Sequence, residues 1–295
     1  RCGFVALIGA PNSGKSTLTN SLVGTKVSIV THKAQTTRGP VRGIVLAGDA
    51  QVILVDTPGI FQPRRRLDRA MAQAAWDRAG DADLVALVID AARGLDDKLE
   101  PIVKQLPELK RPVVAVLNKV DLVKKPALLS LTSELLALRA FAEIFMVSAL
   151  TGDGVDDLRA YLANAVPHGP WLFPEDQLTD ASLRQTAAEI TREKLFLRLH
   201  EELPYALTVE TTEWKVLKDQ SVRIEQTIFV ERESQRRIVL GSKGQMIKEI
   251  GRASREEISE IAGVRVHLFL FVKVRERWGE DPERVREMGL DYPKK

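Results

Sequence analysis

Gly9, Gly14, Lys15 and Ser16 stand at the spacing Gly-(four residues)-Gly-Lys-Ser within the stretch GAPNSGKST, residues 9–17. These residue types at this spacing hold phosphates. Glycines let backbone N–H groups turn inward around an anion, the helix that follows adds its positive end, the lysine supplies a point charge, and the serine hydroxyl reaches a divalent cation. The flanks fit, since the apolar run 4–8 predicts a buried strand and residues 18–23 a helix. A glycine-rich turn matching by chance is the rival reading.

Three further segments weigh against chance. Asp56-Thr57-Pro58-Gly59 closes an apolar strand at 52–55, where a carboxylate can hold a magnesium-bound water and the Gly59 N–H can reach a γ-phosphate. Asn118-Lys119-Val120-Asp121 ends the run 112–117. Asp121 can accept both donors of a guanine edge, which adenine does not present, while Asn118 ties the loop to the phosphate side and the Lys119 stem covers the base. Ser148-Ala149-Leu150 follows the next strand and offers a backbone N–H to the guanine oxygen. All four segments fall at successive strand ends, where open α/β sheets bind ligands. The expected nucleotide contacts are Gly9, Asn12, Ser13, Gly14, Lys15, Ser16, Thr17, Asp56, Gly59, Asn118, Lys119, Asp121, Ser148 and Ala149, for GTP or GDP with Mg²⁺.

From residue 3 to about 166, β-rich runs at 4–8, 43–47, 51–55, 84–89, 112–117 and 143–147 alternate with helical stretches, which predicts a mostly parallel six-stranded α/β sheet. Residues 46–51 leave room only for a tight turn, so the second strand is expected antiparallel at an edge. The prolines of 167–174 break the rhythm. They set the expected division into a GTPase domain at 1–166, a linker at 167–181 and an α+β domain at 182–295, with a helix at 182–202, strands at 205–214 and 221–230, helices between 235 and 262, and a last strand at 264–274.

In that second domain Gly241-Ser242-Lys243-Gly244 forms a Gly-x-x-Gly turn between two short helices, the backbone clamp of a KH module for single-stranded RNA. Ile238, Leu240, Ile247 and Ile250 would floor the groove, and Lys243, Lys248 and Arg252, with Arg232, Arg236, Arg237 and Arg255, would supply charge. The expected RNA contacts are Ile238, Leu240, Gly241, Ser242, Lys243, Gly244, Ile247, Lys248 and Arg252. An ordinary helix–turn–helix with a solvated basic face is the competing reading. Acids such as Glu201, Glu202, Glu256, Glu257 and Glu260 confine binding to one groove.

Composition narrows the remaining classes. A net charge of +3 over 295 residues is too small to argue nucleic-acid binding alone. A single cysteine, Cys2, forms no internal disulfide and suits a reducing cytosol. No apolar run approaches a membrane span; the chain opens at Arg1 with neither a methionine nor a leader pattern, which leaves a trimmed start and a lost leader open. His32, His168, His200 and His267 are scattered with no metal spacing, and no apolar heptad seam predicts a stable oligomer.

Residues 3–166 resemble a translation-factor-related GTPase domain, with GxxxxGKS, a switch threonine, DxxG, NKxD and SAx all present, the last ending in Leu150 where lysine is commoner. With the linker and the Gly-x-x-Gly domain, nearly the whole chain resembles the Era family of bacterial GTPases, a P-loop GTPase domain followed by a type II KH domain. That resemblance implies Thr37, with Thr36 as fallback, as the switch residue closing over Mg²⁺, so the implied metal set is Ser16, Thr37 and, through water, Asp56. It also implies binding to the 3′ end of small-subunit ribosomal RNA under control of the nucleotide state, in 30S subunit assembly. A cytoplasmic monomer with loose association at the cytoplasmic face of the inner membrane is implied as well.

Ile60 follows Gly59 where many GTPases carry a water-orienting glutamine. Isoleucine cannot polarise water, so no catalytic side chain is assigned and intrinsic turnover is expected to be slow; even glutamine-bearing small GTPases reach only about 10⁻⁴ per second unaided. Related GTPases with this replacement imply a K⁺ ion held near Asn12. Arg64, Arg65 and Arg66 read as a solvated loop. The rival functions are an RNA-binding adaptor with a dead nucleotide domain, a tandem-type ribosomal GTPase, which would need a second P-loop that is absent, and an ATPase, which Asp121 opposes.

Overall fold

A computed structural model of the chain describes residues 1–31, 33, 36–39, 41–63, 66–138, 140–200 and 203–291. His32, Ala34, Gln35, Arg64, Arg65, Glu201 and Glu202 lie outside the described residues. The chain forms two compact units: residues 1–30, 34–180 and 285–295 in the first, 31–33 and 181–284 in the second.

The first unit is built on a six-stranded sheet in the order β2-β3-β1-β4-β5-β6. Its strands are β1 (Cys2–Ile8), β2 (Val41–Ala47), β3 (Ala50–Asp56), β4 (Leu84–Asp90), β5 (Val113–Asn118) and β6 (Ile144–Met146), with helices α1 (Lys15–Val23), α2 (Arg66–Asp81), α3 (Glu100–Gln105), α4 (Lys125–Ala137) and α5 (Val155–Ala165) between and after them. All neighbours are parallel except β2 and β3, which pair antiparallel through the tight turn at 48–49. Burial on both faces explains the continuous apolar runs. Along β1, Val5 and Leu7 pack with Leu18, Leu22 and Leu158 on one side, while Ala6 and Ile8 pack with Ala75, Leu106 and Leu128 on the other. The sheet order reverses at β1, so the loop leaving β1 opens at the topological switch point, where such sheets form their crevice.

Residues 167–180 run along the β2–β3 edge. Gln51 accepts from the Leu172 and Phe173 N–H groups (2.9 and 3.0 Å) and donates to the Phe173 carbonyl. Ile44 N–H donates to the Leu178 carbonyl (2.9 Å), and Gly43 pairs with Thr179 in an antiparallel bridge. The exposed edge of β2 is thus partly paired by the chain itself. Val285, Met288 and Leu290 pack with Leu67, Ala70, Met71 and Ala74 of α2.

In the second unit, α6 (Leu183–Arg198) starts at a capping box in which the Ser182 side chain accepts from the Gln185 N–H and Gln185 accepts from the Ser182 N–H. A three-stranded sheet follows, β7 (Leu207–Val216), β8 (Val222–Val230) and β9 (Val266–Val274), with β7 antiparallel and β9 parallel to the central β8. Helices α7 (Glu233–Leu240) and α8 (Gln245–Ala262) are inserted between β8 and β9. Alternate residues of β8, Ile224, Ile228 and Val230, face Leu195, Val239, Ile250 and Ile258 of the helices. Among the described residues, no helix is long and apolar enough to cross a membrane.

Candidate nucleotide site and RNA clamp

The loop 9–14 leaves β1 and enters α1 at Lys15, with Gly14 left-handed (φ 95°) as the N-terminal cap. A side chain at Gly14 would collide with the Asn118 amide, whose nitrogen lies 2.2 Å from the position a Cβ would take. Only glycine admits that approach. The Asn118 amide uses it to donate to the Ser13 carbonyl (3.0 Å) and, through its oxygen, accepts the Ala149 N–H (3.0 Å). One side chain therefore joins three of the four predicted segments. Because Ala149 N–H is committed to Asn118 and Ser148 N–H to the Asp153 carbonyl (2.9 Å), the N–H left open within Ser148-Ala149-Leu150, among the described residues, is that of Leu150.

Lys15 is buried and donates to the Gly9 and Ala10 carbonyls (3.2 and 3.0 Å). Burial pushes its ammonium down to about 8, against the opposing pull of Asp56. Asp56 is fully buried at the end of β3, and burial raises its carboxyl above the usual carboxylate range, opposed first by the Ser16 hydroxyl and next by Lys15.

Ser16 Oγ lies 2.9 Å from Thr37 Oγ1 and donates to Asp56 Oδ2 at 2.7 Å. An octahedral Mg²⁺ with bonds of about 2.0–2.1 Å sets adjacent ligand oxygens about 2.9 Å apart, so the two hydroxyls have the spacing of neighbouring ligands. Among the described residues Asp56 Oδ1 is buried with no hydrogen-bond partner, which suits a carboxylate that accepts from a metal-bound water. The residues present fit the ion. Thr57 and Ile60 are buried; the Thr57 hydroxyl donates to the Leu7 carbonyl (2.7 Å), and Ile60 N–H donates to the Gly9 carbonyl (3.0 Å) while its side chain joins the core. Nothing at position 60 can orient water.

Lys119 adopts a left-handed backbone (φ 65°) and donates to the Asn12 carbonyl (2.7 Å) and Asp90 Oδ2 (2.6 Å). Asp121 is exposed beside it. No sequence motif singles out Asp90. It ends β4 as Asp56 ends β3, and an acidic residue closing an apolar strand is the one signal available for it.

In the second unit the Gly-x-x-Gly turn joins α7 to α8. Gly241 (φ 71°), Lys243 (φ 50°) and Gly244 (φ 75°) all lie in positive-φ backbone, and a Cβ at Gly241 would sit 2.6 Å from Met246 Cβ. Ser242, Lys243, Lys248, Arg252 and Ile238 are exposed; Leu240 and Ile247 are half-buried. Ile250, expected in the groove floor, is instead fully buried in the core against Leu195 and Val230. Arg252 and Arg236 are paired with Glu256 and Glu233 (2.9 Å each), leaving Arg237, Lys243 and Lys248 as exposed cations flanking the turn without a side-chain ion pair among the described residues.

A phosphate loop at a sheet's switch point, an acidic strand end beside it and an Asn-Lys-x-Asp loop tied to it by hydrogen bonds define a GTPase module, here in one chain with a KH-type α+β unit. Residues 4–119 match the family described as 50S ribosome-binding GTPase, and residues 202–279 match the KH domain. GTPase Era of Brucella suis biovar 1 (strain 1330) is 63% identical over 293 residues, covering 99% of this chain and 94% of that protein. GTPase Era of Afipia carboxidovorans is 62% identical, covering 100% and 96%. Among solved structures, a single-substitution variant of Aquifex aeolicus Era bound to GDP.AlF4⁻ has a TM-score of 0.93 at 40% identity, covering 98% of this chain and 99% of that one. A structure of Era in complex with MgGDPNP and nucleotides 1506–1542 of 16S ribosomal RNA has a TM-score of 0.94 at 40% identity, covering 98% of each. This chain belongs to the Era family of GTPases and is a GTP-hydrolysing enzyme with a KH domain.

Proposed function

We propose that the chain acts in small-subunit assembly, gripping the 3′ end of the small-subunit ribosomal RNA in its KH groove while the bound guanine nucleotide sets the strength of that grip. The observation that carries the nucleotide half is the Ser16–Thr37–Asp56 triangle, with a hydroxyl pair 2.9 Å apart. Ser16 and Thr37 would hold Mg²⁺ directly and Asp56 through water; the ion, when bound, neutralises charge on the phosphates. Gly9, Asn12, Ser13, Gly14, Lys15 and Thr17 cradle the phosphates, Gly59 meets the γ-phosphate, and Asn118, Lys119, Asp121, Ser148 and Ala149 form the guanine end. Lys15 exchanges its two carbonyl contacts for phosphate oxygens. Ile60, buried and apolar, supplies no proton acceptor, so the water must be oriented by backbone or by a stimulating partner. A K⁺ ion near Asn12 is the further electrostatic aid, tested by comparing turnover in sodium and potassium buffers.

The RNA half is supported by the relative whose complex holds 16S nucleotides, similar over nearly the full chain. It is a better guide to the subunit than the 50S wording of the broad model matching residues 4–119. The positive-φ glycine turn, bare of side chains at Gly241 and Gly244, and exposed Lys243 and Lys248 suit a sugar-phosphate backbone. Nucleotide control is supported by Thr37, which brings the connection between α1 and β2 to the metal triangle, so that a bound nucleotide and its ion would set the position of that segment. A cytoplasmic monomer, in loose contact with the inner membrane, completes the reading.

The test is RNA crosslinking with GTP, GDP or no nucleotide, alongside Gly241→Asp. The reading expects nucleotide-dependent crosslinking that the substitution abolishes, since a carboxylate would enter where bare backbone meets phosphate. Equal crosslinking in all three states would remove the control, and an unaffected Gly241→Asp would remove the clamp.

A further inference from the structure

Two anchors hold Asp90 before Lys119 reaches it. Its Oδ1 accepts the Ala92 N–H (3.0 Å) and its carbonyl accepts the Arg93 and Gly94 N–H groups (3.0 and 3.1 Å), so the residue closes its own turn at the end of β4. The strand register then sets Asp90 directly opposite Asn118 of β5, the residue before Lys119. A carboxylate fixed in this way presents its second oxygen, Oδ2, to the Lys119 ammonium at 2.6 Å, with the Asp90 side chain 12% and the Lys119 side chain 31% exposed. Arg93 Nε stands farther off, at 3.9 Å from the same oxygen.

Lys119 is otherwise an ill-defined group. Its four-carbon stem samples many rotamers, and a lysine ammonium is a strongly hydrated point charge with no built-in geometry. Two contacts fix it here, the Asp90 carboxylate and the Asn12 carbonyl. Asn12 is itself at φ 64°, in the left-handed region that asparagine adopts in tight turns. The ammonium therefore clasps the left-handed turn of the phosphate loop on one side and a pre-set carboxylate on the other.

We propose that Asp90 is a positioning residue of the guanine-nucleotide site, holding the Lys119 ammonium against the Asn12 carbonyl so that the Lys119 stem is fixed over the base and the phosphate loop keeps its turn. The proposal rests on the reading of Lys119 as the residue that covers the base. Its chemistry demands an acceptor pair. A carboxylate offers one oxygen to Ala92 and the other to Lys119, whereas asparagine has one oxygen and one NH₂. In Asp90→Asn, an amide that keeps the Ala92 contact turns a donor toward the ammonium and repels it, without emptying the space the side chain fills. Asp90 touches neither phosphate nor base, so its removal should speed nucleotide release more than it slows capture, which Lys15 governs by charge.

The measurement is release of a fluorescent GDP from the full chain, for Asp90→Asn, Asp90→Ala, Lys119→Ala and the double variant Asp90→Ala/Lys119→Ala, with thermal melts of each protein stripped of nucleotide. The expected result is release about ten-fold faster in both Asp90 variants, at least as fast in Lys119→Ala, and no faster in the double variant than in Lys119→Ala alone, because the two residues act as one unit. Melting points of the stripped Asp90→Asn protein and the parent should agree. Unchanged release in Asp90→Asn, additive effects in the double variant, or a fall in the stripped protein's melting point that tracks the loss of affinity would each overturn the proposal. Normal release from Lys119→Ala would overturn the reading of Lys119 as well, whereas fast release from Lys119→Ala with normal release from both Asp90 variants would overturn the role of Asp90 alone.

Discussion

The hydroxyls of Ser16 and Thr37, 21 residues apart in the chain, lie 2.9 Å from each other with Asp56 Oδ2 accepting from both, at 2.7 Å from Ser16 and 3.3 Å from Thr37. Ser16 belongs to α1 and Asp56 to β3, both rigid elements with buried neighbours, whereas Thr37 arrives from the long connection before β2. On the proposed reading Ser16 and Asp56 are the fixed pair, and Thr37 is the member that a switch movement would add or remove.

Thr37→Ala should therefore separate two activities. GTP turnover should fall on the order of 10²-fold, the usual scale for losing one group that stabilises charge developing on a transferring phosphate, while GDP affinity stays within about three-fold because Ser16 and Lys15 are untouched. Single-turnover hydrolysis with a Mg²⁺ titration, beside GDP binding, checks this. Loss of GDP binding equal to the loss of turnover would place Thr37 in the fold and not in the switch, and an effect of Thr36→Ala alone would move the role to the neighbouring residue.

Lys15 gives the site a pH dependence whose sign follows from its burial. Its ammonium titrates near 8 in the nucleotide-free protein, and a bound diphosphate favours the charged form, raising that value. Affinity is then flat well below pH 8 and falls with rising pH above it, by up to ten-fold per unit until the bound-state value is passed. Calorimetry of GDP binding between pH 7 and 9, in buffers of different ionisation heat, should show proton uptake growing from near zero toward one. Uptake that stays at zero across that range would contradict a lysine held down by desolvation.

Much of this architecture is legible in the residues themselves, and the gaps have physical causes. Strands β1, β3, β4 and β5 announce themselves because burial on both faces leaves no polar interruption, and the short 48–49 turn alone settles that β2 runs antiparallel. The GxxxxGKS and NKxD spacings carry their context with them. Ile250 lies in the core and not in the groove, a difference the pattern hides because an amphipathic helix flanked by a sheet and a clamp has apolar residues at both borders of its stripe. Periodicity does not say which border is covered; Ile247 is half-buried and Ile250 is not exposed at all. Residues 171–180 look like free linker by composition. Their attachment combines the buried Gln51 side chain with backbone pairing of Leu178 and Thr179 at β2, all more than a hundred residues away. Asp90 belongs to no named motif; its place at the end of an apolar strand is the one sequence signal, and its hydrogen bonds reveal what it holds.

The C-terminal residues are equally silent in the sequence. Val285 and Leu290 are buried against Met71, which is itself fully buried, yet three apolar residues spread over six positions make no recognisable period. Leu290→Ala should destabilise the first unit by about 2 kcal/mol, the low end for a buried leucine because its neighbours Met71 and Met288 are flexible side chains that can close part of the gap. Hydrogen exchange read on the amides of α2 is the suitable probe, since a two-unit chain need not unfold in one step. Protection should drop in α2 and stay unchanged in α8, and equal loss in both would show that the tail is not local to α2.

Gly39, two residues beyond Thr37, meets the same tail. A Cβ added there would lie 1.9 Å from the Met288 carbonyl oxygen, a distance no side chain tolerates, and the obstacle is backbone that cannot rotate aside. Gly39→Ala must displace either the segment carrying Thr37 or the residues around Met288. Residues 285–290 bury Val285 and Leu290 against α2, whereas residues 36–39 place no apolar side chain in the core, so the segment carrying Thr37 should yield first, with hydrolysis lost and cleavage within residues 285–291 in limited proteolysis as slow as in the parent. Turnover and cleavage together report which side moved: faster cleavage with hydrolysis near normal would mean that the tail is the weaker partner and the Ser16–Thr37 approach stays intact.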